Sequence, residues 1–167
     1  MTASDDSLSA AAVRVRDATP ADADTLADFN ARMAWETEGK RLLPHVVGAG
    51  VRRLLGEPGL GFYLVAEADG EVVASLLVTT EWSDWRNGRF WWIQSVYVVP
   101  AWRRRGVFRG LYAAVAERSE TQGDVCGFRL YVERENAQAQ ATYRSLGMEE
   151  TEYRIMEELK PGVVFLA

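Results

Sequence analysis

Two short stretches of this chain carry residue types whose spacing suits chemistry. In the first, Arg103-Arg104-Arg105-Gly106-Val107-Phe108-Arg109 follows an apolar run closed by Pro100 and leads into a segment of helical periodicity. A glycine between strand and helix lets the backbone approach a ligand closely. The helix start offers unpaired N–H groups and a partial positive charge, which with the arginines suits a pyrophosphate. Taken alone, Arg103 to Arg105 are equally a solvated basic turn. In the second stretch Asn136 and Tyr143 lie about two helical turns apart, so both project from one helix face. Tyr143 carries a phenol with an ordinary pKa near about 10, able to donate a proton, and Asn136 an amide.

The first stretch resembles the acyl-CoA-binding motif of the GCN5-related N-acetyltransferase family, in which Arg or Gln is followed three residues later by Gly and two later by Gly or Ala. Arg103 and Gly106 match, as does the approach through Val98 and Pro100. Phe108 stands where the family has its last Gly or Ala, and Arg104 where many members have Gly. The second stretch is similar to the family's signature of Asn, Ala, Tyr and Gly-Phe, with Thr142 and Met148 in place of the usual Leu and Phe. Together the similarities span about residues 13–159.

The resemblance implies acetyl-CoA as acyl-donor cosubstrate and no metal. It places the carbonyl oxygen and pantetheine on the backbone of Val96, Tyr97 and Val98, in a splayed fourth strand. The remaining cofactor contacts fall on Arg103, Arg104, Arg105, Gly106, Val107, Phe108 and Arg109, with Asn136 holding the pantetheine arm. Tyr143 is the expected acid at the departing sulfur, in a direct attack without a covalent enzyme intermediate. The acceptor it implies is a primary amine on a small cationic molecule or a protein terminus. Members often carry an acid on the fourth strand, but Gln94 stands there and cannot take a proton from an ammonium. Glu81 and Asp84, in the loop before that strand, are the nearest acids in sequence, and Glu36 and Glu38 close the first helix beside the expected substrate wall. Taken singly, each of these acids reads more readily as a solvated surface charge. Trp82 and Trp92, with Glu36 and Gln94, are the candidate acceptor contacts, since aromatic faces and carboxylates can cage a cation. Trp91 and Trp92 must point to opposite faces of a strand, and Trp92 shares its face with Gln94.

These residues need a scaffold, and the apolar pattern supplies one. Residues 13–16 alternate as a first strand. Thr19 and Pro20 then open a helix that runs to about residue 35, and a shorter helix spans about residues 47–55. Residues 62–68 and 72–80 read as strands joined at Asp69-Gly70, and residues 90–99 as a fourth strand. A helix over 107–121, a fifth strand over 128–132, a helix over 137–146 and a last strand over 152–159 complete the order. The expected fold is a single mixed α/β domain over 13–167. It has a central, mostly antiparallel twisted sheet, a splayed fourth strand and helices on both faces. Residues 1–12, rich in Ser, Ala and Asp, read as a disordered lead-in.

Composition narrows the function classes. With 19 Lys and Arg against 24 Asp and Glu, the formal charge of -5 gives no support to general nucleic-acid binding. The single cysteine excludes an intramolecular disulfide, and with one histidine there is no Cys/His metal cluster in sequence. Cys126 itself reads as a small buried hydrophobe, and His45 as a loop or helix-start residue. No apolar run approaches the roughly 20 residues of a membrane span, so the expected location is the cytoplasm. A homodimer paired through the last strand is compatible with the pattern. Two rivals remain: a non-catalytic acyl-CoA-binding or regulatory module, motivated by Gln94 and Phe108, and an interaction domain that uses the aromatic stretch 82–92 as a partner surface.

Overall fold

Alternating apolar residues and turn signals produce the five strands of one sheet, and the computed structural model describes residues 12–167 of the chain. The strands are β1 (Arg14–Asp17), β2 (Phe62–Ala68), β3 (Glu71–Ser83), β4 (Gly88–Val98) and β5 (Val125–Leu130), ordered β1-β2-β3-β4-β5. All neighbours are antiparallel except β4 and β5, which are parallel. The helices are α1 (Ala23–Glu38), α2 (Pro44–Gly56), α3 (Val107–Glu120) and α4 (Ala137–Ser145). The expected mixed, mostly antiparallel domain with helices on both faces is the one formed. The expected lead-in, apart from Ala12, lies outside the described residues.

Each face of the sheet buries its own apolar set. On one, Leu111 and Val115 of α3 are fully buried against Leu64, Leu76, Val78, Trp91 and Ile93. On the other, Leu26 of α1 and Val51 of α2 meet Tyr63, Val65 and Leu77. Both sets follow from period-two strands and a helical stripe. Two ion pairs fix the first strand: Arg16 donates to Asp22 Oδ2 at 2.8 Å and, across to β2, to Glu67 Oε2 at 2.8 Å. Asp22 is buried, and the guanidinium of Arg16 holds its carboxyl down at about 2.

β4 changes phase midway, and this positions the site. Trp91 and Ile93 pack into the α3-side core, yet so do Val96 and Val98. An extra residue has entered the strand between them. Ser95 has a φ of 46°, and the β3 ladder shifts register between Ser75 and Leu77, as a β-bulge requires. Pairing with β5 ends one step earlier, at Ile93 opposite Leu130. Beyond that point β4 continues without its parallel neighbour, so the β5-side edge of Gln94 to Val98 is open.

Several expectations need correction. Residues 152–159 form no strand: Tyr153, Ile155 and Met156 are largely exposed, because an alternating segment becomes a strand only when a neighbour's edge pairs with it. Instead the chain turns at Lys160 and the tail returns to the α1–α2 connection, where Leu43 donates to the Phe165 carbonyl at 2.8 Å. The fifth strand lies at Val125–Leu130 rather than 128–132, since its partners on β4 begin at Arg89. Cys126 opens that strand but is exposed, not buried, because its neighbours Val125 and Phe128 take the core side. α1 runs on to Glu38 and stops at Gly39, whose φ of 62° is the usual helix terminator.

Candidate active site

Where β4 and β5 part, a cavity of about 520 Å³ opens between α1, β4, α3 and α4. Its floor is Val96, Tyr97 and Val98, the open edge of β4. Arg103, Arg104, Gly106, Val107, Phe108 and Arg109 form one end. Asn136 and Tyr143 form the wall from α4, and Glu36 the wall from α1. Sequence spacing thus brought together most of the expected cofactor residues. Arg105 is the exception: its guanidinium lies over the Trp102 ring, 5.2 Å from the centroid, and it does not line the cavity.

The start of α3 is built to leave donors unused. Gly106 is the N-cap with a φ of 77°, and no side chain caps the helix. The first bond of the helix runs from the Gly110 amide to the Gly106 carbonyl, at 3.0 Å. The amides of Val107, Phe108 and Arg109 precede it and face the cavity end, where the helix dipole adds a partial positive charge. Arg104 has a φ of 61°, a left-handed conformation that explains why glycine suits this position. Phe108 turns its ring onto Tyr143, edge to face at 5.7 Å, and towards Tyr112 at 6.2 Å. Its bulk therefore fills the seam between α3 and α4. Such an end, with Arg104 and Arg109 beside it, fits a pyrophosphate.

Arg103 has a different neighbourhood. Its Nε donates to the Val98 carbonyl at 2.8 Å and its Nη2 to Glu36 Oε2 at 2.6 Å. Tyr97 donates its hydroxyl to Glu36 Oε1 at 2.8 Å. Glu36 thus joins α1, β4 and the arginine turn, and the Arg103 guanidinium, with Tyr97 second, holds its carboxyl below the usual range. Burial, followed by the neighbouring Glu36, pushes the Tyr97 phenol up. Burial alone pushes up that of Tyr143, which keeps it protonated and able to donate. Asn136 caps α4, its Oδ1 accepting from the Ala139 amide at 3.0 Å.

The other candidates lie outside this cavity, along the β3–β4 hairpin. Glu81 accepts from Trp92 Nε1 at 2.5 Å and from Arg129 Nη1 at 2.8 Å. Asp84 accepts from the Trp85 amide at the exposed hairpin tip, and Trp82 is more than half exposed nearby. Gln94 donates to Thr79 Oγ1 at 2.6 Å. Trp91 is buried in the core while Trp92 stands on the opposite face, stacked on Tyr131 with centroids 4.5 Å apart. Sequence reasoning missed Tyr131, and with it Met33, Trp102, Ala139 and Thr142 in the cavity wall. Helical spacing held the signal for two of them: Met33 is one turn before Glu36, and Ala139 one turn before Tyr143. Among the described residues no group of three His, Cys, Asp or Glu could hold a metal, and no helix is long and apolar enough to cross a membrane.

A parted sheet with an uncapped helix start beside the parting is arranged to receive a phosphate-bearing ligand. The acetyltransferase (GNAT) family profile matches residues 23–148, and the chain belongs to that family. A possible acetyltransferase from Clostridium difficile 630 is 44% identical, with 89% of this chain and 97% of that one covered and a TM-score of 0.82. The aminoglycoside N-acetyltransferase AAC(6')-Iy in complex with CoA is 19% identical, covering 90% and 96% of the two chains at a TM-score of 0.71. A predicted acetyltransferase with acetyl-CoA from Clostridium acetobutylicum is 16% identical, covering 88% and 96% at a TM-score of 0.74. At those identities the last two share the fold. No curated protein matches the sequence.

Proposed function

We propose that this protein transfers the acetyl group of acetyl-CoA to a primary amine of a small cationic molecule or a protein terminus, by direct attack. The observation that carries this is the meeting, in one cavity, of the open β4 edge, the uncapped start of α3 and the Tyr143 phenol. The α3 amides with Arg104 and Arg109 hold the pyrophosphate. Backbone N–H groups of Val96 to Val98 receive the pantetheine and the thioester carbonyl oxygen, stabilising the charge that grows there during attack. The Nδ2 of Asn136 faces the pantetheine arm while its Oδ1 caps the helix that carries Tyr143.

The proton balance fits a neutral amine. As the N–C bond forms and the C–S bond breaks, nitrogen loses one proton and sulfur needs one, so no base is consumed. Tyr143, kept protonated by burial, gives its proton to the departing sulfur, and the proton lost by the nitrogen passes to solvent, from which the phenol is restored. Tyr143→Phe is expected to lower kcat at least about tenfold while the Kd of acetyl-CoA stays within about twofold. Steady-state kinetics with calorimetric titration checks both. Unchanged turnover would remove Tyr143 from the chemistry, and no acetyl-CoA binding at all would remove the proposal.

A further inference from the structure

We infer that the preferred acceptor is a weakly basic primary amine carried beside an aromatic or apolar group, such as the α-amino group of a peptide, taken up already neutral. This rests on the acetyl-transfer proposal above and narrows it. After Ile93 and Leu130 the two strands separate, so Gln94 and Tyr131 stand on either side of the gap. On the α1 face of the sheet the acceptor therefore meets the stacked rings of Trp92 and Tyr131, with Tyr131 half exposed, and the amide of Gln94. That surface is aromatic, with no unpaired charge among these three side chains.

The carboxylates around it are matched by cations. Glu81 takes one bond from Arg129, whose guanidinium also lies 3.7 Å above the Phe90 ring, and its second from the Trp92 indole. Glu36 takes one from Arg103 and one from the Tyr97 phenol, with Arg32 adding positive charge one turn back on α1. Asp84 sits at the hairpin tip, bonded to a backbone amide. The phenols on this face are those of Tyr131, stacked on Trp92, and of Tyr63, which receives a bond from Asn30 and is pushed up by burial. Each of these two carboxylates, Glu36 and Glu81, already has an arginine on one oxygen and a second donor on the other, so it adds almost no net attraction for a cation. Neither Glu36 nor Glu81 is thus arranged to strip an ammonium. The reaction then depends on whatever fraction of the amine is neutral. At pH 7 that is about 10% for an α-amino group and about 0.04% for a lysine side chain.

The test compares two acceptors with wild-type enzyme and acetyl-CoA: a Phe-Gly peptide with a free α-amino group, and an N-blocked peptide whose only amine is a lysine. The expected result is at least about a 30-fold preference in kcat/KM for the α-amino peptide at pH 7, with the rise of kcat/KM following each amine's own pKa as pH increases. Equal or reversed preference, or one rise below pH 7 shared by both amines, would overturn the inference by revealing a base on the enzyme. A second variant makes the neutralisation itself testable. Arg129→Gln releases Glu81, and the lysine peptide should gain at least about fivefold relative to the α-amino peptide. An unchanged ratio would overturn the inference, whereas loss of acetyl-CoA turnover with every amine in the wild-type enzyme would instead defeat the acetyl-transfer proposal beneath it.

Discussion

α3 and α4 begin on facing sides of the same cavity, and they begin differently. α4 starts at Asn136, whose side chain occupies a backbone amide of the first turn. α3 starts at Gly106, which has no side chain to offer and holds a φ of 77°. α1 offers a third case: the carboxylate at its start, Asp22, is already bound by Arg16 and by the Thr19 amide at 2.7 Å. A helix start is electrostatically ready for an anion in every protein, and α2 too begins without a side-chain cap, so what distinguishes α3 is that its unfilled start lies in the cavity beside Arg104 and Arg109. Function here lies in an omitted cap.

Filling that cap should have the largest effect. Gly106→Asp places a carboxylate where the pyrophosphate would sit and offers it to the α3 amides. Because the positive φ strains any side chain, Gly106→Ala serves as the control for backbone cost. The expected outcome is an acetyl-CoA KM at least about 30-fold above that of the alanine variant, about 2 kcal/mol of lost binding. Equal KM values for the two variants would show that phosphate does not use this helix start.

The already occupied start of α1 sharpens the contrast through pH. The Asp22 carboxyl is depressed from an ordinary 3.8 to about 2, mainly by its bonds with Arg16. A depressed acid stabilises the fold fully above its unfolded pKa and loses that contribution as pH falls through the folded one. About 2 kcal/mol should therefore disappear, most of it between pH 5 and about pH 2. Urea unfolding at intervals across that range measures it. In Asp22→Asn the slope over that range should flatten by that amount, and an unflattened slope would assign acid sensitivity to other carboxylates.

The lining of the cavity beside α3 was legible in sequence because much of it is set by where a strand ends and a helix begins. Arg103 and Gly106 mark one such boundary and Asn136 the next, with Tyr143 about two turns further along α4. The bulge in β4 also left a trace, since the apolar phase moves from Trp91 and Ile93 to Val96 and Val98. The acceptor side was much less legible. Glu36, Glu81 and Asp84 look alike as letters, and their roles depend on which arginine or amide reaches each one. Arg103 lies 67 residues from Glu36, and Arg129 lies 48 from Glu81. Pairings at that separation have no local signature. The last strand was overread for a related reason: alternation in 152–159 describes a segment able to pair, and pairing is decided by another part of the molecule.

The smallest effect concerns the filled cap of α4, where one residue has two separable tasks. Removing the Asn136 side chain should cost about 1 kcal/mol of stability through the lost cap, read as a fall of a few degrees in Tm. The same change should raise the acetyl-CoA KM about three- to tenfold if Nδ2 donates to the pantetheine arm. Asn136→Asp divides the two, because a carboxylate caps a helix as well as an amide does but has no N–H to give. Its expected behaviour is a Tm like the wild type with the raised KM of the alanine variant. Restoration of both would make Asn136 a cap alone, and α4 would then meet the cofactor through Tyr143 without help from its first residue.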